Sequence, residues 1–360
     1  MFDASILLRA AEIVSVYYAT KIALKKYRIN KEYKPNNIKK VKLPPELTAE
    51  YNDTDLKNFA GTQLEEQANR FATVLKEKFS DNELINFYNN FRNVEVKEKN
   101  LDFFSKFINI NLAGYYNPLN NKVSLSKDNE SQDIAAYHEF FHMASSHHAG
   151  SKIYSGFHQF YIDKGIYSIG NGINEGYTEL LTYRYFYNEG DEDPTYDTQL
   201  IIASKVEDLI GKDYMENCYM NCDLKGLIDG LSKYSSEEET MQFIASLDFI
   251  TSNLVTDKSK NIQNKVKTSF KFINDYLIKC NSNKALEMYK NGIITSEDEL
   301  NSTITNYAES MPVGYRIGSN YYILNVRPGI EKEIYSMVNR GVDLDRYVFK
   351  TENKVEEKTK

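Results

Sequence analysis

The feature that most constrains the fold of this chain is a helical stretch that carries two histidines four residues apart. The segment 134–144 is rich in alanine and large apolar residues and contains neither glycine nor proline, which predicts a buried helix. On that helix His138 and His142 share one face, and Glu139 directly follows the first of them. Two neutral imidazoles at this spacing can bind one Zn²⁺ at ~2.0–2.1 Å, and the carboxylate can reach a water at an open coordination position.

Histidine is scarce in this chain, which makes the pattern informative. With 5 His in 360 residues, H-[DE]-x-x-H is expected about 0.01 times by chance. A core histidine pair satisfied by hydrogen bonds is the structural alternative. All 5 histidines lie between His138 and His158. His147 and His148 are predicted at the C-terminus of the same helix, beside Gly150, where the helix dipole favours a cation.

A second motif supplies the acidic groups that the first one lacks. It is the segment Asn174 to Glu179, in which Glu175 and Glu179 are four residues apart and share a helix face. Catalytic zinc usually takes three protein ligands, and two histidines with one glutamate are a standard set. One of these carboxylates can therefore bind the metal while the other accepts the free N–H of a ligand imidazole.

The two motifs together resemble those of the gluzincin metallopeptidases, the thermolysin-like clan. The resemblance extends roughly from Leu112 to Tyr187 and implies a zincin-like fold with one catalytic Zn²⁺. Outside that segment, only a helix-rich tail similar to that of one bacterial family is recognised. The resemblance implies the following roles: His138, His142 and Glu175 as metal ligands, Glu139 as general base, and Glu179 with Asn174 in the outer shell.

The chain departs from the gluzincin pattern at two places. Glu179 is one methylene longer than the usual aspartate. The glycine normally found three residues before the Asn-Glu pair is replaced by Asn171, with Gly170 and Gly172 on either side. Both departures concern the outer shell of the predicted site rather than the ligands themselves.

A strand, a turn and a second strand are predicted over 108–125, just before the histidine helix. In zincins the corresponding strand lies along the cleft, and pairing with a sheet edge is a general way to hold an extended peptide. Ala113, Gly114 and Tyr115 are the predicted substrate-binding residues, because the two small ones allow a close backbone approach. An ordinary hairpin at a sheet edge is the alternative.

A further hairpin is predicted between the two motifs, with strands over 154–162 and 166–169. A zinc peptidase needs a donor aimed at the oxyanion of its tetrahedral intermediate. His158, Tyr161 and Tyr167 are the candidates, and Tyr167 lies near the place where thermolysin-like enzymes carry such a tyrosine. Because the chain contains 28 tyrosines, a packing role is the alternative for each tyrosine.

The net charge limits the class of partner, and the cysteine content limits the kinds of disulfide or metal site. A net charge of −7 argues against a nucleic-acid partner, so the predicted partner is a peptide or protein substrate. Three cysteines in a chain of this length do not form a disulfide framework. Cys218 and Cys222 can share a helix face, but no second pair or nearby histidine supports a metal site there, so free thiols are predicted.

The N-terminal segment 6–24 is largely apolar but contains Arg9, Glu12 and Lys21, each of which is costly at a bilayer centre. It also lacks a basic leader and a small-residue cleavage site. We therefore expect an amphipathic helix packed on the body of the protein, and a cytoplasmic location. A helix that lies on a membrane surface is the alternative, and export by another route is the alternative to a cytoplasmic location.

The predicted fold is α+β and mostly helical, in five segments. Residues 1–45 form an N-terminal helix and strap, 46–108 a helical layer, 109–190 the zincin core, 191–342 a helical lobe with a late hairpin, and 343–360 a disordered charged tail. A small sheet is expected to place its edge strand beside the histidine helix. An acidic turn over 188–194 is predicted as a solvated helix end, with a calcium loop as the alternative.

The predicted function is zinc-dependent hydrolysis of peptide bonds. Two alternatives remain from the sequence: a catalytically silent binding or regulatory protein on the same scaffold, and a membrane-surface protein that acts through its N-terminal helix. Glu139 argues against the first alternative, because the base is needed for chemistry and not for metal binding.

Overall fold

The structure is a computed structural model that describes residues 41–99, 114–126, 132–163, 165–187, 196–253, 260–312, 314–317, 320–323 and 347–349. The predicted N-terminal helix, Ala113 and the acidic turn over 188–194 lie outside these residues. Within them the protein is α+β and mostly helical, as the sequence predicts.

The described chain begins with a strap and a pair of helices. After the 3₁₀ turn Lys57–Phe59, helix α1 spans Glu65–Lys78 and helix α2 spans Ile85–Asn93. Both bury apolar residues at the three- and four-residue intervals that the sequence shows. These helices form the layer against which the histidine helix packs.

A three-stranded sheet follows, with strand β1 at Glu95–Lys99, β2 at Gly114–Asn117 and β3 at Lys122–Ser126. The strand order is β1-β3-β2, with β1 parallel and β2 antiparallel to β3, so β2 lies at an edge. The strand–turn–strand prediction is confirmed. Helix was predicted through residue 107, but β1 forms instead, because pairing with β3 satisfies its backbone and overrides the helical propensity of lysine and glutamate.

The histidine helix α3 spans Gln132–Ala144 and leads into a second sheet. Its four strands are β4 at Ser146–Ala149, β5 at Lys152–Ser155, β6 at His158–Asp163 and β7 at Gly165–Ile169, in an antiparallel meander. Two predictions need correction here. His147 and His148 lie in β4 rather than at the helix end, and the strand predicted over 154–162 is divided at Gly156, whose φ of 52° turns the chain.

The second motif lies on helix α4, Asn171–Phe186, and the helical lobe follows it. The lobe consists of α5 at Asp197–Ile210, α6 at Lys212–Met220, α7 at Leu224–Ser232, α8 at Glu237–Asn253, α9 at Lys260–Lys290 and α10 at Glu297–Glu309. This agrees with the helical pattern in the sequence.

A third small sheet closes the described chain. Strands β8 at Gly314–Ile317 and β9 at Asn320–Ile323 form the predicted late hairpin. Strand β10, Tyr347–Phe349, pairs in parallel with β9. Three residues of the tail predicted to be disordered are therefore a strand, because an alternating run of aromatic and β-branched residues has a sheet edge to pair with.

One hydrophobic core joins the N-terminal layer, the two motif helices and the lobe, from Phe59 to Met311. Cys218, Cys222 and Cys280 are buried free thiols, as predicted, and Cys218 and Cys280 lie within this core. Among the described helices, none is both long enough and apolar enough to cross a membrane.

Candidate metal centre

Helix α3 is held in place by aromatic packing on its apolar face. Phe140 and Phe141 are fully buried, and their rings lie 5.4 and 5.0 Å from the ring of Phe71 on α1. The apolar residues between the two histidines therefore fix which way the helix faces. Since residues four apart share a face, this packing turns both His138 and His142 toward α4.

The two motifs meet in a compact triangle of donor atoms. Nε2 of His138 and Nε2 of His142 are 3.1 Å apart, and Oε2 of Glu175 lies 3.4 Å from each. A tetrahedral zinc ion with ligands at ~2.0–2.1 Å requires donor atoms about 3.3–3.4 Å apart. The three residues that the sequence predicts as ligands therefore fit a single zinc ion.

A second carboxylate orients the first histidine. Nδ1 of His138 donates to Oε2 of Glu179 across 2.7 Å, and Glu179 is itself buried. A proton on Nδ1 leaves the Nε2 lone pair directed at the triangle, which is the tautomer that a metal ligand needs. The extra methylene of glutamate relative to aspartate is therefore accommodated in this fold.

The second histidine has weaker polar neighbours. Nδ1 of His142 lies 3.3 Å from Nδ2 of Asn174 and 3.5 Å from Oγ1 of Thr178. The other end of the Asn174 amide accepts a hydrogen bond from the backbone N–H of Phe157 at 3.0 Å. Asn174 thus contacts the second histidine and also joins α4 to the turn before β6.

The triangle concentrates negative charge in a buried place. Burial opposes a charge on His138, but the hydrogen bonds and charges of Glu175 and Glu179 outweigh it and raise the pKa of His138 well above its usual value. Burial likewise acts to raise the pKa of Glu175, but the two imidazoles reverse this effect and lower it. The two carboxylates would also attract a divalent cation, whose binding requires both Nε2 atoms to be unprotonated.

Glu139 is held by the edge strand. The backbone N–H of Tyr116 in β2 donates to its Oε2 at 2.6 Å, which places β2 directly beside α3. Burial raises the pKa of Glu139. Gly114 and Tyr115 belong to the same strand, and the side chain of Tyr115 is 47% exposed. The expected arrangement of an edge strand beside the histidine helix is therefore present.

The predicted oxyanion donors lie in the second sheet. Nε2 of His158 is 2.9 Å from Oγ of Ser168, and the ring of Tyr167 lies 4.5 Å from that of Tyr161. His158 and Tyr167 project from opposite faces of this sheet, because Tyr161 pairs with Tyr167 while the neighbouring pair joins Phe160 to Ser168. At most one of them can therefore face the donor triangle, and their catalytic roles stay predictions.

The structure brings one further residue to the site. The ring of Tyr196, just before α5, stacks on His138 with centroids 5.9 Å apart. Its backbone N–H donates to Oε1 of Glu179 at 3.5 Å. The charge of Glu175, burial and the charge of Glu179 together raise the pKa of Tyr196 well above its usual value. Sequence reasoning missed this residue because it lies beyond the acidic turn, outside both motifs, among many other tyrosines.

Comparison of the chain with protein-family models, with curated proteins and with solved structures finds no match. The case for function therefore depends on the residues and geometry of the site itself.

Proposed function

We propose that the protein is a zinc-dependent peptidase of the gluzincin type with a zincin-like core. The observation that carries this proposal is the triangle of His138, His142 and Glu175, whose separations match tetrahedral zinc, with Glu139 beside it. Zinc in such a site would act as a Lewis acid and lower the pKa of a bound water to about 7. The remaining steps belong to the protein's own side chains.

Glu139 is the proposed general base. It is adjacent in sequence to the first ligand, and the Tyr116 N–H binds only one of its carboxylate oxygens. The other oxygen is then the one to accept the proton of the attacking water and to pass it to the leaving amine. The Tyr116 hydrogen bond would hold the carboxylate still during this transfer, so that little reorganisation is needed.

The edge of β2 is the proposed binding place for the peptide. Among the described strands, β2 pairs with β3 alone, and its other side faces α3, where the Tyr116 N–H binds Glu139. An extended peptide can align its backbone along such an edge and so lie beside Glu139. Gly114 offers no side chain to obstruct that approach.

Tyr196 is the oxyanion donor that the geometry favours. Its ring lies against a proposed ligand, and the charge of Glu175 is the main cause that raises the pKa of its hydroxyl, which therefore stays protonated. A phenol hydroxyl at that place can donate a hydrogen bond to an oxyanion that develops beside the donor triangle. Tyr167 and His158 remain candidates that the same experiment can compare.

The proposal is tested by zinc content and by hydrolysis of an unbiased peptide library, on the wild type and Glu139→Gln side by side. Stoichiometric zinc in both, with cleavage in the wild type alone, supports the peptidase. Zinc in both with cleavage in neither favours the catalytically silent scaffold. Absence of zinc from both would contradict the metal centre itself.

The donor is identified by comparing Tyr196→Phe, Tyr167→Phe and His158→Gln on a substrate found in that library. We expect Tyr196→Phe to lower kcat about 10²–10³-fold with little change in KM or zinc content, because only the transition state carries the oxyanion. An equal or larger loss of kcat in Tyr167→Phe or His158→Gln would transfer the role to that residue.

A further inference from the structure

The N-terminus of α4, the helix that carries Glu175, has no cap of its own. Its N-cap residue is Gly170, which has a φ of 85° and no side chain to accept a hydrogen bond. The first N–H groups of any helix lack partners within the helix and need acceptors from elsewhere. Asn171, which stands where the gluzincin pattern has a glycine, is the first residue of this helix, and Gly170 and Gly172 lie on either side of it.

Asp248 on α8 supplies the missing acceptors. Its Oδ2 accepts from the backbone N–H of Gly170 at 2.8 Å, and its Oδ1 accepts from that of Gly172 at 2.7 Å. One carboxylate therefore occupies both of its oxygens at the positive end of the α4 dipole. A side chain from the helical lobe does what an N-cap serine or aspartate usually does from within the helix.

The two glycines allow α8 to come this close. A Cβ on Gly172 would lie 2.7 Å from the backbone carbonyl of Leu247, the residue before Asp248. A Cβ on Gly170 would overlap the carbonyl oxygen of Phe157, on top of the strain of its positive φ. The first turn of α4 is thus fitted between the turn before β6 and α8, with no space for a side chain on either glycine.

This first turn determines where Asn174 and Glu175 stand. The N–H of Asn174 donates to the carbonyl of Gly170 at 3.0 Å, which closes the first turn of the helix. Glu175 is the next residue, and it offers one of the three donor atoms of the triangle. A fraying of the capped turn would therefore displace a proposed ligand and an outer-shell amide together.

We propose that Asp248 is a positioning residue for the metal centre: by capping α4 from α8 it holds Glu175 at the distance that the metal requires. This inference rests on the proposed metal centre. It makes zinc affinity a property of the contact between the helical lobe and the zincin core, although Asp248 touches no metal ligand in the contacts described above.

The test compares Asp248→Ala and Asp248→Asn with a matched control, Asp223→Ala. Asp223 is the N-cap of α7, and its Oδ1 accepts from the N–H of Gly226 at 2.8 Å, so its loss removes a similar cap from a helix that carries no ligand. The zinc dissociation constant is measured by competition with a chelator. The visible spectrum of the Co²⁺-substituted protein reports the ligand geometry directly, and thermal unfolding of the metal-free proteins reports the structural cost.

We expect Asp248→Ala to weaken zinc binding about tenfold and to alter the Co²⁺ spectrum, within the range seen when outer-shell partners of metal ligands are removed. Asp248→Asn, which keeps one acceptor oxygen, is expected to lie between it and the wild type, and it decides the matter if the alanine variant does not fold. Asp223→Ala is expected to bind zinc as the wild type does.

Wild-type zinc affinity in both Asp248 variants would overturn the inference. An equal loss of zinc affinity in Asp223→Ala would also overturn it, because the effect would then follow from general destabilisation. A wild-type protein that binds no zinc would instead refute the proposed function, so the two failures are distinguishable.

Discussion

The two helices that would share the metal differ in the contacts that hold most of their length in place. Helix α3 packs through aromatic rings, since Phe140 and Phe141 lie 5.4 and 5.0 Å from Phe71 on α1; of α4, the last residue, Phe186, joins this cluster at 5.3 Å. Helix α4 is held at its start by the Asp248 carboxylate and further along by a partly buried ion cluster. Apolar packing orients a helix face without demanding exact partners, whereas each polar contact needs one particular atom in one place.

The ion cluster on α4 is centred on Arg184. Its guanidinium donates to Glu207 on α5 at 2.9 Å and to Glu216 on α6 at 3.0 Å. The hydroxyls of Tyr177 and Tyr185, also on α4, donate to the same two carboxylates. The cluster therefore ties α4 to two helices of the lobe, and with Asp248 on α8 it makes the position of α4 depend on three of them.

The largest effect is expected at the centre of the aromatic cluster. Phe71→Ala should lower the free energy of unfolding by about 3–5 kcal/mol, because it removes a fully buried ring and leaves a cavity. Denaturant unfolding measures the loss. Phe71→Leu retains part of the volume and should cost less. A loss below about 1 kcal/mol for the alanine variant would contradict the view that aromatic packing holds α3.

The next effect tests the polar side of the comparison. Arg184→Met keeps the aliphatic stem but leaves the carboxylates of Glu207 and Glu216 without their common partner. We expect a loss of about 2–4 kcal/mol, somewhat below that of a fully buried pair because the arginine side chain is 22% exposed. Chemical denaturation measures it. Recovery of stability in the double variant Arg184→Met/Glu207→Gln would show that the unpaired charge causes the loss.

A smaller effect is expected where α4 touches the backbone of α5. A Cβ on Gly176 would overlap the carbonyl oxygen of Gln199, which cannot move without shifting α5. Gly176→Ala should therefore cost about 1–3 kcal/mol despite the helix propensity of alanine. Gly230→Ala on α7 is the matched control, since its Cβ would meet side-chain atoms rather than backbone: the ring of Tyr214 at 2.9 Å and Cγ2 of Ile210 at 3.3 Å. An equal loss of unfolding free energy in both variants would contradict the close approach of the α4 and α5 backbones.

The smallest effect is expected from an exposed ion pair between α8 and α9, which tests whether polar anchoring needs burial. The hydrogen bond from Lys279, followed by that from Ser235, lowers the pKa of Glu239 from 4.5 to about 2. Because the folded pKa is depressed, this stabilisation is complete above the unfolded pKa of 4.5 and is lost as the pH falls toward 2. The contribution of this ion pair to the free energy of unfolding should stay below about 1 kcal/mol, as for other exposed pairs.

Lys279→Met checks this prediction. Between pH 4.5 and 2 its free energy of unfolding should fall less steeply than that of the wild type, with little difference near pH 2. Lys271→Met, at an exposed lysine of the same helix, is the control and should follow the wild-type curve. A pH dependence of Lys279→Met identical to that of the wild type would contradict a contribution from this pair.

Much of the fold follows from local patterns. The three- and four-residue spacing of apolar residues is enough to predict α1, α3 and the helices of the lobe, because a helix buries one stripe of its surface. The alternation and turn residues around Asn117-Pro118 are enough to predict β2 and β3. Strand β1 could not be predicted in this way, since its pairing partner β3 lies beyond a long intervening segment.

The sequence by itself supplied the candidate ligands and the candidate base. His138 and His142 lie four residues apart on one helix face, and the resemblance of the two motifs to gluzincins implied the roles of Glu139 and Glu175. Only the tertiary structure decided the rest of the site. It placed Tyr196 against His138, gave the Tyr116 N–H to Glu139, and brought Asp248 to the start of α4. Such contacts join residues that are far apart in the chain. A single contact produces no periodic pattern of residues, so it cannot be predicted from the sequence in the way that a helix face can.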